Sequence, residues 1–221
     1  MKQNLTDISV VLDRSISMQT ITEQTIAGFN AFLKSQREAV GEATLTLAQF
    51  DTQYDVIHSG VNVKHVPDLN MTTYVPRGYT ALLDAIGFTI VNTGIRLAAM
   101  KEEDRPENVI FVIQTDGQEN SSKEYTYQMV KDLIEQQTKT YNWDFVFLGA
   151  NQDAIVTGSH LGIGMGNSMT FEANAAGSLY AYDSISNNMT MYRGLSGDAK
   201  MMKKSAFFTS ADRTTQANVG A

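Results

Sequence analysis

The spacing of apolar residues changes several times along this chain, and each change marks an element. Ile8-Ser9-Val10-Val11-Leu12 is a short, nearly continuous apolar run, the pattern of a strand buried on both faces. From Met18 the spacing lengthens. Ile21, Thr25, Ile26, Phe29, Phe32 and Leu33 recur as on an amphipathic helix, with Gly41 as its stop. Residues 44–50 alternate instead, and after the turn Asp51-Thr52-Gln53 the run from Tyr54 to His58 returns as a hairpin partner.

The stretch from Val61 to Pro76 is polar and irregular and reads as a loop leading to Gly78. Leu82, Leu83, Ile86, Ile90, Val91, Ile95, Leu97 and Ala98 then define a second helix. Val109 to Ile113 repeats the buried-strand pattern and ends at Thr115-Asp116-Gly117. Ser121 or Ser122 is placed to cap a helix carrying Val130, Leu133 and Ile134, and Phe145 to Leu148 is a third buried strand. Asp153 opens a short helix through Leu161, residues 168–171 form an edge strand, and Leu179, Tyr182, Ile185, Met189 and Tyr192 line a last helical face. From Gly194 periodicity disappears. The pattern predicts an α/β fold, doubly wound, with a mostly parallel sheet, one antiparallel edge strand and helices on both faces. It also predicts one domain over 1–193 and a tail over 194–221, mobile, wrapped on the domain or held by a partner.

Composition narrows the class. A chain of 221 residues can bury one sizeable core. A formal net charge of −7 argues against general affinity for nucleic acid or an anionic membrane surface, which need a basic face. The first residues lack a signal-peptide core and no run approaches a membrane span, so a soluble, cytoplasmic protein is expected. Without cysteine there is no thiolate nucleophile or thiolate metal site, and His58, His65 and His160 show no ligand spacing.

Chemistry concentrates at Asp13-Arg14-Ser15-Ile16-Ser17, where the first strand hands over to a helix. A carboxylate and two hydroxyls at alternate positions of one turn can face one spot. Thr80, and Asp116 after the later strand, can reach the same rim, because ligands in such sheets sit beyond the carboxyl ends of the strands. An oxygen-only donor set selects Mg²⁺, with Mn²⁺ or Ca²⁺ as alternatives, over zinc or copper.

Asp13-x-Ser15-x-Ser17, Thr80 in a Gly-x-Thr context and Thr115-Asp116-Gly117 together resemble the metal-ion-dependent adhesion site of the von Willebrand factor type A family. The resemblance in element order runs from about Leu5 to Leu148 and less distinctly to Tyr192. It implies that Ser15, Ser17 and Thr80 bind the ion directly or by turns with water, and that Asp13 and Asp116 act mainly through water. It further implies a protein partner that donates an Asp or Glu to the metal. Arg14, Tyr79, Gln118 and Glu119 flank the donors and are expected to face that partner. Two other readings stand beside this one. A haloacid-dehalogenase-like Mg²⁺-dependent phosphatase would also place an Asp after its first strand, but it needs a second carboxyl where this chain has Ser15. A metal-independent scaffold would engage its partner without any of these donors. The expected function is therefore binding and not catalysis.

Overall fold

A computed structural model describes residues 1–150 and 153–219; the last two residues of the segment from 194 lie outside it. Six strands form one sheet: β1 (Lys2–Asp13), β2 (Glu42–Phe50), β3 (Tyr54–Asn62), β4 (Pro106–Thr115), β5 (Asp144–Ala150) and β6 (Ser168–Phe171). Their order is β3-β2-β1-β4-β5-β6, and only β3, the hairpin partner of β2, runs antiparallel. The chain leaves β1 toward β2 on one side and resumes at β4 on the other. The winding therefore reverses between β1 and β4, which opens a crevice at their carboxyl ends.

Because strand side chains alternate between faces, the continuous apolar runs feed two cores. Ile8, Val10 and Leu12 of β1, Ile110 and Val112 of β4, and Val146 and Leu148 of β5 pack on one face. They meet α1 (Thr22–Glu38) and α5 (Ala175–Gly194). Val11, Phe111, Ile113, Phe145 and Phe147 pack on the other, against α2 (Leu82–Ala98), α3 (Tyr127–Tyr141) and α4 (Ala154–His160). Among the described residues no helix is long and apolar enough to cross a membrane.

Gly28 sets how closely α1 and α5 approach. A Cβ there would lie 2.1 Å from the Tyr182 ring. Gly28→Ala is expected to force the two helices apart and lower stability by about 1–3 kcal/mol, read from the urea midpoint at unchanged slope.

Three elements differ from the sequence expectation. Met18 belongs to a 3₁₀ segment, Ile16–Ile21, and the α-helix begins only at Thr22. The helix after β4 starts at Tyr127 with Thr126 as its cap, whose hydroxyl accepts from Met129 N; Ser121 and Ser122 are used elsewhere. Leu179 is 42% exposed, and the buried face of α5 runs through Ser178, Ala181, Tyr182, Ile185, Met189 and Tyr192. The segment after Gly194 carries two further helices, α6 (Gly197–Lys204) and α7 (Ser210–Val219), with Phe207 and Phe208 buried between them. It lies on the domain. Its apolar anchor is one adjacent pair, which no helical period reveals.

Candidate metal centre

The centre is built where β1 ends. Asp13 is fully buried there, and its Oδ1 accepts from Ser15 N at 2.6 Å, which closes a tight turn. Its Oδ2 accepts from Thr115 Oγ1 at 2.5 Å, so the carboxylate ties β1 to the end of β4. Ser15 occupies the cap position of the 3₁₀ segment, where a serine ordinarily spends its hydroxyl on the helix. It makes no such cap bond. Its hydroxyl lies 3.1 Å from Ser17 Oγ, and Ser17 Oγ donates to Asp116 Oδ1 at 2.6 Å.

Thr80 reaches this group from the loop before α2. Its N–H donates to Asn120 Oδ1 at 2.9 Å and its carbonyl accepts from Asn120 N at 3.1 Å, so one asparagine holds both backbone groups. Gly117 lies against the hydroxyls. A Cβ at that position would stand 3.0 Å from Thr80 Oγ1 and 3.5 Å from Ser17 Oγ, and the absence of one leaves the ground between them clear. The structure thus brings Asp13, Ser15, Ser17, Thr80 and Asp116 together at the carboxyl rim of the sheet.

Burial weighs against charge on both acids at the rim. Burial pushes the Asp13 carboxyl up to about 7, against the opposing pull of its bonds from Thr115 and Ser15. Burial also raises Asp116, opposed by the bond from Ser17. Both acids are therefore costly to ionise without a nearby positive charge. Among the described residues no group of three or more His, Asp or Glu side chains converges. The donor set is chiefly hydroxylic, and three hydroxyls with two carboxylates suit a hard divalent ion. The residues present fit such an ion.

Tyr79 is exposed beside Thr80, and Gln118 is exposed on the Asp116 loop. Arg14 departs from expectation. It is buried, with Nε donating to Asp51 Oδ2 at 2.8 Å and Nη2 paired to Asp55, so it braces the β2–β3 turn and does not face a partner. Its neighbours are acids on a hairpin that is distant in sequence, and burial with two carboxylates outweighs exposure. Glu119 is committed in the same way. Its carboxylate accepts from Ser121 N, Ser122 N, Ser122 Oγ and Leu83 N, the last supplying the missing cap of α2.

Sequence reasoning missed the bracing residues. Asp84, in the first turn of α2, accepts from Lys123 N, Glu124 N and Tyr125 N, and Ser122 Oγ accepts from Asp84 N. Tyr74, fully buried, donates its hydroxyl to the Asp13 carbonyl at 2.6 Å. The clustering of Glu119, Asn120, Ser121 and Ser122 was the available signal, since such residues in a loop are suited to capping backbone groups.

No family model matches this sequence, and no curated protein is similar to it. Solved structures are similar in fold. The vWF domain of the type V pili tip protein Mfa5 from Porphyromonas gingivalis aligns with a TM-score of 0.59 at 11% identity, covering 87% of this chain and 97% of that one. Proximal thread matrix protein 1 from the mussel byssus gives 0.58 at 13% identity over 86% of this chain and 47% of its own. A second structure of the mussel protein, with a zinc-occupied metal-ion-dependent adhesion site, gives 0.57 at 14% identity over 82% and 47%. The chain spans about half the length of the mussel protein. These likenesses establish the architecture as that of a von Willebrand factor type A domain, an α/β sheet with one antiparallel edge.

Proposed function

We propose that this chain is a protein-interaction module that binds an acidic side chain of a partner in a divalent-metal-dependent way. The observation that carries the proposal is the convergence of five oxygen-bearing side chains from three loops at the point where the winding reverses. Ser15, Ser17 and Thr80 would hold the ion directly, and Asp13 and Asp116 through water. A bound ion would supply an electrophile for one carboxylate oxygen of the partner. The chain's own residues would set that up by offering neutral hydroxyls as the direct donors. Asp13 aligns the Ser15 backbone, Asn120 holds Thr80, and Asp116 orients Ser17.

A similar fold with zinc in its adhesion site supports a divalent ion in general. The all-oxygen donor set favours Mg²⁺, or Mn²⁺ or Ca²⁺, for this chain. The reading is of binding and not of catalysis. Ser15 stands where an aspartate-based phosphotransferase requires a second carboxyl to protonate its leaving group, and a serine hydroxyl is far too weak an acid.

Thermal unfolding in chelator and then in Mg²⁺, Mn²⁺ or Ca²⁺ tests the proposal. An ion at about 100 times its Kd is expected to stabilise the wild type by about 2.7 kcal/mol, a rise of several degrees. Asp13→Ala should abolish the rise. Ser15→Ala and Thr80→Ala should keep the circular-dichroism spectrum and lose the Mn²⁺ binding isotherm. A melting temperature that no ion moves would overturn the metal-dependent reading.

A further inference from the structure

The C-terminal segment turns a lysine toward the domain and methionines toward solvent. In α6, Met201 and Met202 are exposed, while the next residue, Lys203, is half-buried and bonded to α5. That reverses the usual arrangement of an amphipathic helix. Lys203 Nζ donates to Asn188 Oδ1 at 2.7 Å and to Phe207 O at 2.6 Å. Asn188, on α5, is 5% exposed. Because Oδ1 is bonded to Cγ, the Lys203 nitrogen stands within about 4 Å of that carbon.

The amide nitrogen is held as well. Asn188 Nδ2 donates to Ser184 O at 2.8 Å and to Asp212 Oδ2, from α7, at 3.3 Å. Asp212 is itself fixed, its Oδ2 accepting from Thr209 N at 2.7 Å and from Thr209 Oγ1 at 2.8 Å. An amine, a carboxamide and a carboxylate therefore meet at the junction of three helices. Their surroundings favour a reaction between them. A lysine attacks only as the neutral amine, and burial lowers the pKa of Lys203 against the opposing charge of Asp212. The ring of Phe207, itself buried, lies 5.7 Å from Nζ and excludes water on that side.

We propose that Lys203 and Asn188 join through an amide bond between their side chains. Asp212 first takes a proton from the Lys203 ammonium, leaving a neutral amine and a carboxylic acid. Nζ then bonds to Asn188 Cγ, the proton on Asp212 passes to Nδ2, and the Cγ–Nδ2 bond breaks. Ammonia leaves. The second proton shed by Nζ passes through Asp212 to the ammonia, so the products are the new amide, ammonium and an ionised Asp212. No oxidant or second substrate enters the balance. The bond closes across 15 residues of chain and fastens α6 to α5 covalently, in a protein that has no cysteine to form a disulfide.

Intact-mass spectrometry of the full chain, incubated at neutral pH, tests the proposal. The wild type is expected to be lighter than its sequence mass by about 17 Da, the mass of ammonia, and trypsin should release one branched peptide joining Asn188 to Lys203. Lys203→Met, and Lys203→Arg, which keeps the cation and its hydrogen bonds, should both show the full sequence mass. Asp212→Asn keeps an oxygen for Thr209 but cannot carry the proton, and it should lose ammonia at least about a hundredfold more slowly. A wild type that stays at its sequence mass would overturn the proposal and leave Lys203 a hydrogen-bonding brace. A deficit that survives in Lys203→Met would place the lost ammonia elsewhere and overturn it equally. Closure of Asp212→Asn at the wild-type rate would overturn the role given to Asp212.

Discussion

Arg96→Ala is expected to destabilise the fold by about 3–5 kcal/mol, the usual cost of stranding a buried charge. Asp7 lies in the middle of β1 and is fully buried. Arg96 Nη2 lies 2.8 Å from its Oδ1 and 2.9 Å from its Oδ2, and Thr44 Oγ1, opposite in β2, donates to Oδ2 at 2.6 Å. The surrounding structure makes room for this pair. A Cβ at Gly60 would stand 2.7 Å from Arg96 Nη1, so a side chain at that position of β3 would displace the guanidinium. Removing the guanidinium leaves Asp7 with one hydroxyl. Equilibrium urea unfolding measures the loss, and a chain this size loses about 2–4 °C in melting temperature per kcal/mol. The double variant Asp7→Ala, Arg96→Ala should lose less than the sum of the single variants, because the second removal takes away the stranded charge. A loss below about 1 kcal/mol in Arg96→Ala would mean that water reaches Asp7.

Phe208→Ala is expected to cost a similar amount, about 3–5 kcal/mol, by opening a cavity in the larger core. Phe207 and Phe208 are 2% and 1% exposed, and their rings meet edge to face with centroids 5.2 Å apart. Backbone and side-chain bonds fix the pair. Phe208 N donates to Gly166 O at 2.9 Å, Phe207 N to Asn167 Oδ1 at 3.1 Å, and Lys203 Nζ to Phe207 O at 2.6 Å. The C-terminal segment is thereby anchored beside β6, the sheet's short edge strand. Urea unfolding gives the magnitude. Limited proteolysis gives the location, since cleavage after Lys203 or Lys204 should appear in Phe208→Ala at protease concentrations that leave the wild type intact. Wild-type stability and wild-type resistance in the variant would show that this segment contributes little to the fold.

Much of the architecture was legible because its signals are local. A run such as Val109 to Ile113 can be satisfied only by burial on two faces, and the structure divides it between the two cores residue by residue. Alternation in residues 44–50 and the following turn specify the antiparallel hairpin for the same reason. The candidate site was legible as four oxygen-bearing residues at or just after strand ends and one, Thr80, in the loop before α2, and the structure draws those side chains together. Its supports were not. Asn120 on Thr80 and Glu119 on the start of α2 each join residues about 40 positions apart, and no period announces such bonds. Arg14 was misplaced for a related reason. A charged residue beside a site reads as exposed until Asp51 and Asp55 are brought against it.

The sequence by itself determined the alternation of strands and helices and the antiparallel hairpin, and it offered the candidate oxygen donors of the rim. These depend on residue type and on spacings of a few positions, which hydrophobic burial converts directly into strand or helix. Only the tertiary structure decided which hydroxyls face one another, which acids are braces, and that Phe207 and Phe208 pin the last helices to the sheet. Those outcomes rest on hydrogen bonds and packing between distant segments, and their partners exist only once the sheet has brought the loops to one rim.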